Sequence, residues 1–218
     1  MITGYYGSGK TEFALNYVSQ LAKLSKRTAL ADLDIVNVFF RSRERALMME
    51  DMGIEVISSS LTQDSSDMPA LSSKIVKPFR DHSYDYVVDL GGSEIGANVL
   101  GRFHDDINPE EVDFLMVVNI YRPETNSVEE ICKQMEILEQ KSGYKITGFV
   151  NNSNLIHETI LENILAGDEL LREVTKKTGV LVRYTTCMLE EVSELEELSK
   201  RVQGEVFPMH YKMRESWM

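Results

Sequence analysis

The sequence predicts a doubly wound α/β fold: a mostly parallel sheet with helices on both faces. Three observations carry this. Short apolar runs of β character alternate with amphipathic helical stretches along most of the chain, the order that βαβ units produce. Several of these runs are apolar at nearly every position, as strands covered on both faces must be. A glycine-rich stretch, GYYGSGKT (Gly4 to Thr11), directly precedes the first amphipathic helix, where such folds bind anions.

Only Met1, Ile2 and Thr3 precede the glycine-rich stretch. The first strand is therefore very short, or the natural start lies upstream. TEFALNYVSQLAKLS follows, with Phe13, Leu15, Val18, Leu21, Ala22 and Leu24 spaced close to a 3.6-residue period. Further strands are expected at Thr28 to Asp34, Ile54 to Ser59, Tyr84 to Leu90, Asp113 to Tyr121, Tyr144 to Asn152 and Gly179 to Thr186. Helices are expected in SVEEICKQMEILEQ, where Ser127 and Glu130 form a capping box, in HETILENILAGDELLREVTKK and in EEVSELEELSKRV. The Ser-rich stretch Ser58 to Ser73 reads as a surface loop, and RSRER (Arg41 to Arg45) as a solvated turn. Residues 1–218 make one domain, with 205–218 a short tail.

Composition narrows the function. Of 218 residues, 43% are apolar and 27% charged, values of a soluble globular domain. A net charge of −12 with no long basic run argues against nucleic-acid binding. Cys132 and Cys187 stand alone, with no CxxC pair to hold zinc or an iron–sulfur cluster. No run approaches the ~18 apolar residues of a membrane span, and the C-terminal stretch is a poor amphipathic anchor. A cytoplasmic protein is expected.

Gly4, Gly9, Lys10 and Thr11 match G-x-x-x-x-G-K-[ST]. Glycines let the backbone turn tightly and bring N–H groups to phosphate oxygens. Lys10 should reach the β- and γ-phosphates and Thr11 should ligate Mg²⁺. The expected contact set is Gly4, Gly7, Ser8, Gly9, Lys10, Thr11 and Glu12.

Two later strand ends supply acids. VVDLGG ends on Asp89, followed by Gly91 and Gly92, the Walker B pattern of an apolar strand closed by a Mg²⁺-binding acid. LADLDIVN places Asp32 and Asp34 two apart, so both side chains leave one face of an extended strand. Two like charges facing one site need a cation, a hydrogen-bond network or an open, solvated position.

The succession GYYGSGKT, ADLDIVN, VVDLGG and GFVNN, over Met1 to about Thr186, resembles the ParA/MinD/CobQ/CobB nucleotide-binding family of SIMIBI-class P-loop NTPases. The resemblance implies ATP and Mg²⁺ as ligands. It makes Lys10 the phosphate lysine, Asp34 the acid that orients the attacking water, Asp32 its partner, and Thr11, Asp34 and Asp89 the metal set. It makes Asn151, with Asn152 beside it, the reader of the base edge, and the tract Tyr184 to Cys187 a flank of the purine. NNSN (Asn151 to Asn154) lacks the acid that reads guanine, which favours ATP over GTP. Many relatives carry a second lysine one residue after the first glycine, and it crosses to a dimer partner's nucleotide. Here that position is Tyr5, which carries no positive charge, so any homodimer would form without the lysine-bridged sandwich. Arg41, Arg43, Arg45 and Arg102 are candidate replacements.

Two functions follow from these residues and the resemblance. One is a slow Mg²⁺-dependent ATPase that switches a protein partner. The other is a ligase or amidotransferase like dethiobiotin synthetase or the cobyrinate amidases, activating a small carboxylate, with the Arg41 cluster and Arg122 lining its pocket. A nucleotide-holding scaffold without turnover is a third.

Overall fold

The computed structural model describes residues 1–25, 27–33, 43–58, 68–91, 99–189 and 194–213. Asp34, Arg41 and Gly92 lie outside the described residues.

Eight strands form one sheet: β1 (Ile2–Thr3), β2 (Thr28–Asp32), β3 (Ile54–Ser58), β4 (Asp85–Asp89), β5 (Leu115–Val118), β6 (Gly148–Asn151), β7 (Val182–Met188) and β8 (Glu205–Met209). Their order is β3-β2-β4-β1-β5-β6-β7-β8, and each neighbouring pair is parallel. The chain winds outward from β1 in both directions, so β1 sits at the switch point where ligands bind in such sheets.

Pleating divides the core into two layers. Leu30, Val87, Leu115, Val117 and Val150 point to one face, where they meet Phe13, Ala14, Leu15 and Val18 of α1 (Lys10–Leu24). Ala31, Val88, Met116, Val118 and Phe149 point to the other. There they meet Ile75 of α3 (Met68–Arg80), Ile131 and Leu138 of α4 (Val128–Ser142), and Leu171 and Val174 of α5 (Leu161–Thr178). Helices α2 (Arg43–Asp51) and α6 (Leu195–Arg201) complete the described set. Ser127 caps α4 by accepting the Glu130 N–H at 3.2 Å.

Three expectations change. The stretch expected as a loop to Ser73 is helical from Met68, because packing of Ile75 and the Phe79–Tyr86 ring pair outweighs the weak helix propensity of serine. Arg43 and Arg45 belong to α2 rather than to a turn, since Ala46 and Met49 one turn apart are buried. The supposed tail begins with a strand. β8 pairs with β7 from Tyr184↔Glu205 to Met188↔Met209 and buries Phe207 and Met209 on alternate positions. Pro208 hides this strand in the sequence, but an edge position tolerates proline.

β1 spans two residues, Ile2–Thr3. Below Ile2 a cavity of about 340 Å³ opens between β4 and β5, lined by Met1, Tyr86, Val87, Asp113 and Leu115. It lies at the amino ends of the strands, away from the glycine-rich loop. Among the described residues, no helix is long and apolar enough to cross a membrane.

Candidate phosphate-binding site

The loop Gly4–Gly9 leaves the carboxyl end of β1 and enters α1 at Lys10. A Cβ on Gly4 would stand 2.4 Å from the Val117 carbonyl oxygen, so only glycine lets the loop press against β5. Gly9 caps α1 with φ 84°, and a Cβ there would meet Asn152 Nδ2 at 2.3 Å. Within the loop, Ser8 N–H donates to the Tyr5 carbonyl at 3.0 Å.

Two side chains hold the loop's carbonyls from outside. Arg122 Nε–H donates to Gly7 O at 2.9 Å and Asn152 Nδ2–H to Ser8 O at 2.7 Å. Carbonyls held from outside leave the loop's N–H groups to the concave side, the arrangement an anion needs. Asn152 is itself fixed: its Oδ1 accepts the Thr186 hydroxyl at 2.5 Å and its N–H donates to Val118 O at 2.8 Å. The segment carrying Arg122 is folded by Asn119, whose carbonyl accepts Thr125 Oγ1–H at 2.7 Å and Arg122 N–H at 3.1 Å. Burial, followed by the Glu124 carboxylate, pushes the Tyr5 phenol above its usual range.

The pleat aims the acids at this loop. Asp32 and Asp89 are register partners at the ends of β2 and β4. Each stands two positions after a residue packed on the α1 layer, Leu30 and Val87, so both carboxylates face the side where α1 begins. Asp32, Asp89 and Lys10 are 6%, 1% and 6% exposed. Buried adjacent carboxylates favour a cation between them. The Ser8 hydroxyl is also buried, with no hydrogen-bond partner among the described residues. The loop and acids therefore fit a phosphate–Mg²⁺ group. No cluster of three or more His, Cys, Asp or Glu that could hold a metal occurs among the described residues. Thr11 and one or two carboxylates, with phosphate oxygens and water, are the ligand set that suits Mg²⁺. Gly91 is buried just beyond β4.

Several expected site residues make contacts within the fold. The Asn151 carboxamide is fully buried: Nδ2–H donates to Ile164 O at 2.9 Å and Oδ1 accepts Ser153 N–H at 3.2 Å. It locks β6 to α5 and has no exposed edge for a base. Asn152 braces the loop, as above. Tyr184 packs among Phe13, Tyr17 and Phe207, and Thr185, Thr186 and Cys187 are buried, so this tract is core. Burial, then Glu194, pushes the Cys187 thiol up to about 11, which keeps it protonated at neutral pH. The Glu12 carboxylate turns from the loop to accept the N–H groups of Lys212 at 2.5 Å and Met213 at 3.0 Å. Arg122, a candidate for a substrate pocket, holds the loop instead. The bond from Thr186 to Asn152 gave no signal in the sequence because the two residues are 34 apart in the chain.

No family model and no curated protein matches this sequence. Solved structures do. The cell division protein FtsY from Thermotoga maritima aligns with a TM-score of 0.55 at 17% identity, over 83% of this chain and 58% of that one. FtsY from Mycoplasma mycoides aligns with a TM-score of 0.50 at 13% identity, over 83% and 56%. A nucleotide-binding protein from Archaeoglobus fulgidus, solved in complex with ADP, aligns with a TM-score of 0.49 at 13% identity, over 84% and 78%. The chain spans a little over half the length of the two FtsY proteins. The likeness to the FtsY chains agrees with the eight-stranded parallel sheet: the fold is that of an α/β P-loop NTPase.

Proposed function

We propose that the protein binds ATP with Mg²⁺ at Gly4–Thr11 and is a slow Mg²⁺-dependent ATPase that switches a protein partner. One observation carries this reading: Asp32 and Asp89, register partners at adjacent strand ends, face the start of α1, where Lys10 and Thr11 stand. Lys10 stabilises charge on the β- and γ-phosphates. Thr11 and Asp89 hold the cation, which supplies charge neutralisation on the phosphates. Asp34, paired with Asp32, orients the attacking water. The loops after Asp34 and Asp89 report the γ-phosphate to the partner. ATP is the nucleotide that the resemblance carried by GYYGSGKT, ADLDIVN and VVDLGG implies. With the uncharged Tyr5 at the place of the second lysine, a homodimer would not be lysine-bridged.

The test is phosphate release from ATP and Mg²⁺ by the pure protein, with calorimetric binding alongside. Lys10→Ala should lose about 100-fold or more in affinity. Asp34→Ala should bind ATP normally and lose hydrolysis. Unchanged turnover in Asp34→Ala removes the role given to that residue, and absence of ATP binding to the wild type removes the whole reading.

A further inference from the structure

The residues expected to hold the base are spent inside the fold, yet another group of side chains stands at the place the base must occupy. A phosphate-binding loop cradles the α- and β-phosphates at the start of its helix while the lysine reaches the β- and γ-phosphates, so a nucleoside carried on the α-phosphate lies close to the first turn of α1. That turn is bound to the segment after β8. Glu12 takes the N–H groups of Lys212 and Met213. Asn16, one turn on, donates to His210 O at 2.9 Å and accepts His210 N–H at 3.0 Å. Tyr211 is pinned between these contacts and packs against His157, with ring centroids 5.4 Å apart.

His157 follows β6 and Tyr211 follows β8, so the pair spans the carboxyl end of β7. In parallel sheets this edge is where ligands bind. The loop presenting His157 is held in a costly conformation. Ile156 has φ 60°, a left-handed setting that a β-branched residue rarely adopts. Hydrogen bonds enforce it: Ile156 N–H to Asn154 Oδ1 at 3.2 Å, Thr159 Oγ1–H to Ile156 O at 2.5 Å, and Leu155 N–H to Thr159 Oγ1 at 2.9 Å. Backbone strain of this kind concentrates at functional sites. Tyr211 is half-buried and His157 exposed.

We propose that Tyr211, backed by His157, is the stacking platform for the purine base of the bound nucleotide. This rests on the reading of Gly4–Thr11 as the phosphate site. The base is gripped by its π-face and not by a carboxamide edge, so discrimination between adenine and guanine nucleotides is weak at this position. Stacking of this kind is sequence-tolerant because every base has a π-face.

The experiment compares calorimetric Kd values for Mg²⁺–ATP and Mg²⁺–tripolyphosphate, which has no base. Tyr211→Ala should weaken ATP by about tenfold or more and leave tripolyphosphate unchanged. Tyr211→Phe should restore ATP binding, since the ring and not the hydroxyl acts. His157→Ala should show the same selectivity with a smaller effect. Equal losses for both ligands, or none, in a Tyr211→Ala protein that unfolds at the wild-type temperature would overturn the platform and leave the phosphate site standing. Failure of the wild type to bind either ligand would overturn the phosphate reading instead.

Discussion

Helix α1 is gripped at its start from two sides, and the grips are built differently. On the phosphate side, consecutive residues Gly4 to Thr11 supply backbone groups, and Arg122 and Asn152 hold their carbonyls from outside. On the other side, the side chains of Glu12 and Asn16 reach across the fold to the backbone of His210 to Met213. The first grip is local, so a short motif encodes it. The second joins segments at opposite ends of the chain, and no motif records it. Phosphate recognition can be this local because an anion needs only N–H groups at one curvature. A base needs a flat surface, which here is assembled from loops after two different strands.

Two ligands would separate these regions: on the proposed reading ATP touches both and tripolyphosphate only the first. Among the residues that brace the two grips, the largest effect is expected from Asn152→Ala. It removes the donor to Ser8 O and the acceptor of the Thr186 hydroxyl, at a site 4% exposed. Buried groups left without partners cost about 1–3 kcal/mol each. Denaturant unfolding should show a loss of about 2–4 kcal/mol, and ATP and tripolyphosphate should weaken together by about tenfold or more. Weakening of ATP alone would move Asn152 to the base side.

Glu12→Ala comes next. It strips the acceptor from two N–H groups that open the base-side grip, charge-assisted bonds worth about 1.5–3 kcal/mol each at most. Lys212 and Met213 can turn partly to water, so ATP affinity should fall about five-fold, the equivalent of roughly 1 kcal/mol. Tripolyphosphate binding should hold. Calorimetry with both ligands decides it, and a parallel loss for tripolyphosphate would place Glu12 with the phosphate loop after all.

What the sequence disclosed follows the same division. The parallel sheet, the loop and the strand-end acids are legible because each rests on a local pattern: apolar runs, a glycine spacing, an acid closing a strand. β8 was missed because Pro208 reads as a breaker and only the edge position excuses it. Asn151 and Glu12 misled for another reason. Each stands beside the expected site in the chain, but neighbours in sequence point apart. Asn151 turns under α5 to Ile164 O, and Glu12 turns to the segment after β8. Tyr211 gave no signal at all, because its place beside α1 depends on carboxylate and carboxamide contacts made across the whole chain.

Arg122 marks the lower limit of the comparison. Its side-chain hydrogen bond to the described residues runs from Nε to Gly7 O, and the residue is only half-buried. A partly solvated bond of this sort contributes little to stability, so Arg122→Gln should change unfolding free energy by no more than about 0.5 kcal/mol. Its effect is on loop shape. Without the outside donor the Gly7 carbonyl can rotate inward against an anion, and both ATP and tripolyphosphate should weaken about two- to threefold, near 0.5 kcal/mol. Arg122→Lys should not restore them, because a mobile ammonium lacks the fixed Nε–H direction. A loss near 100-fold would require direct contact between the guanidinium and phosphate. Arg122 would then be a phosphate ligand supplied by the chain itself.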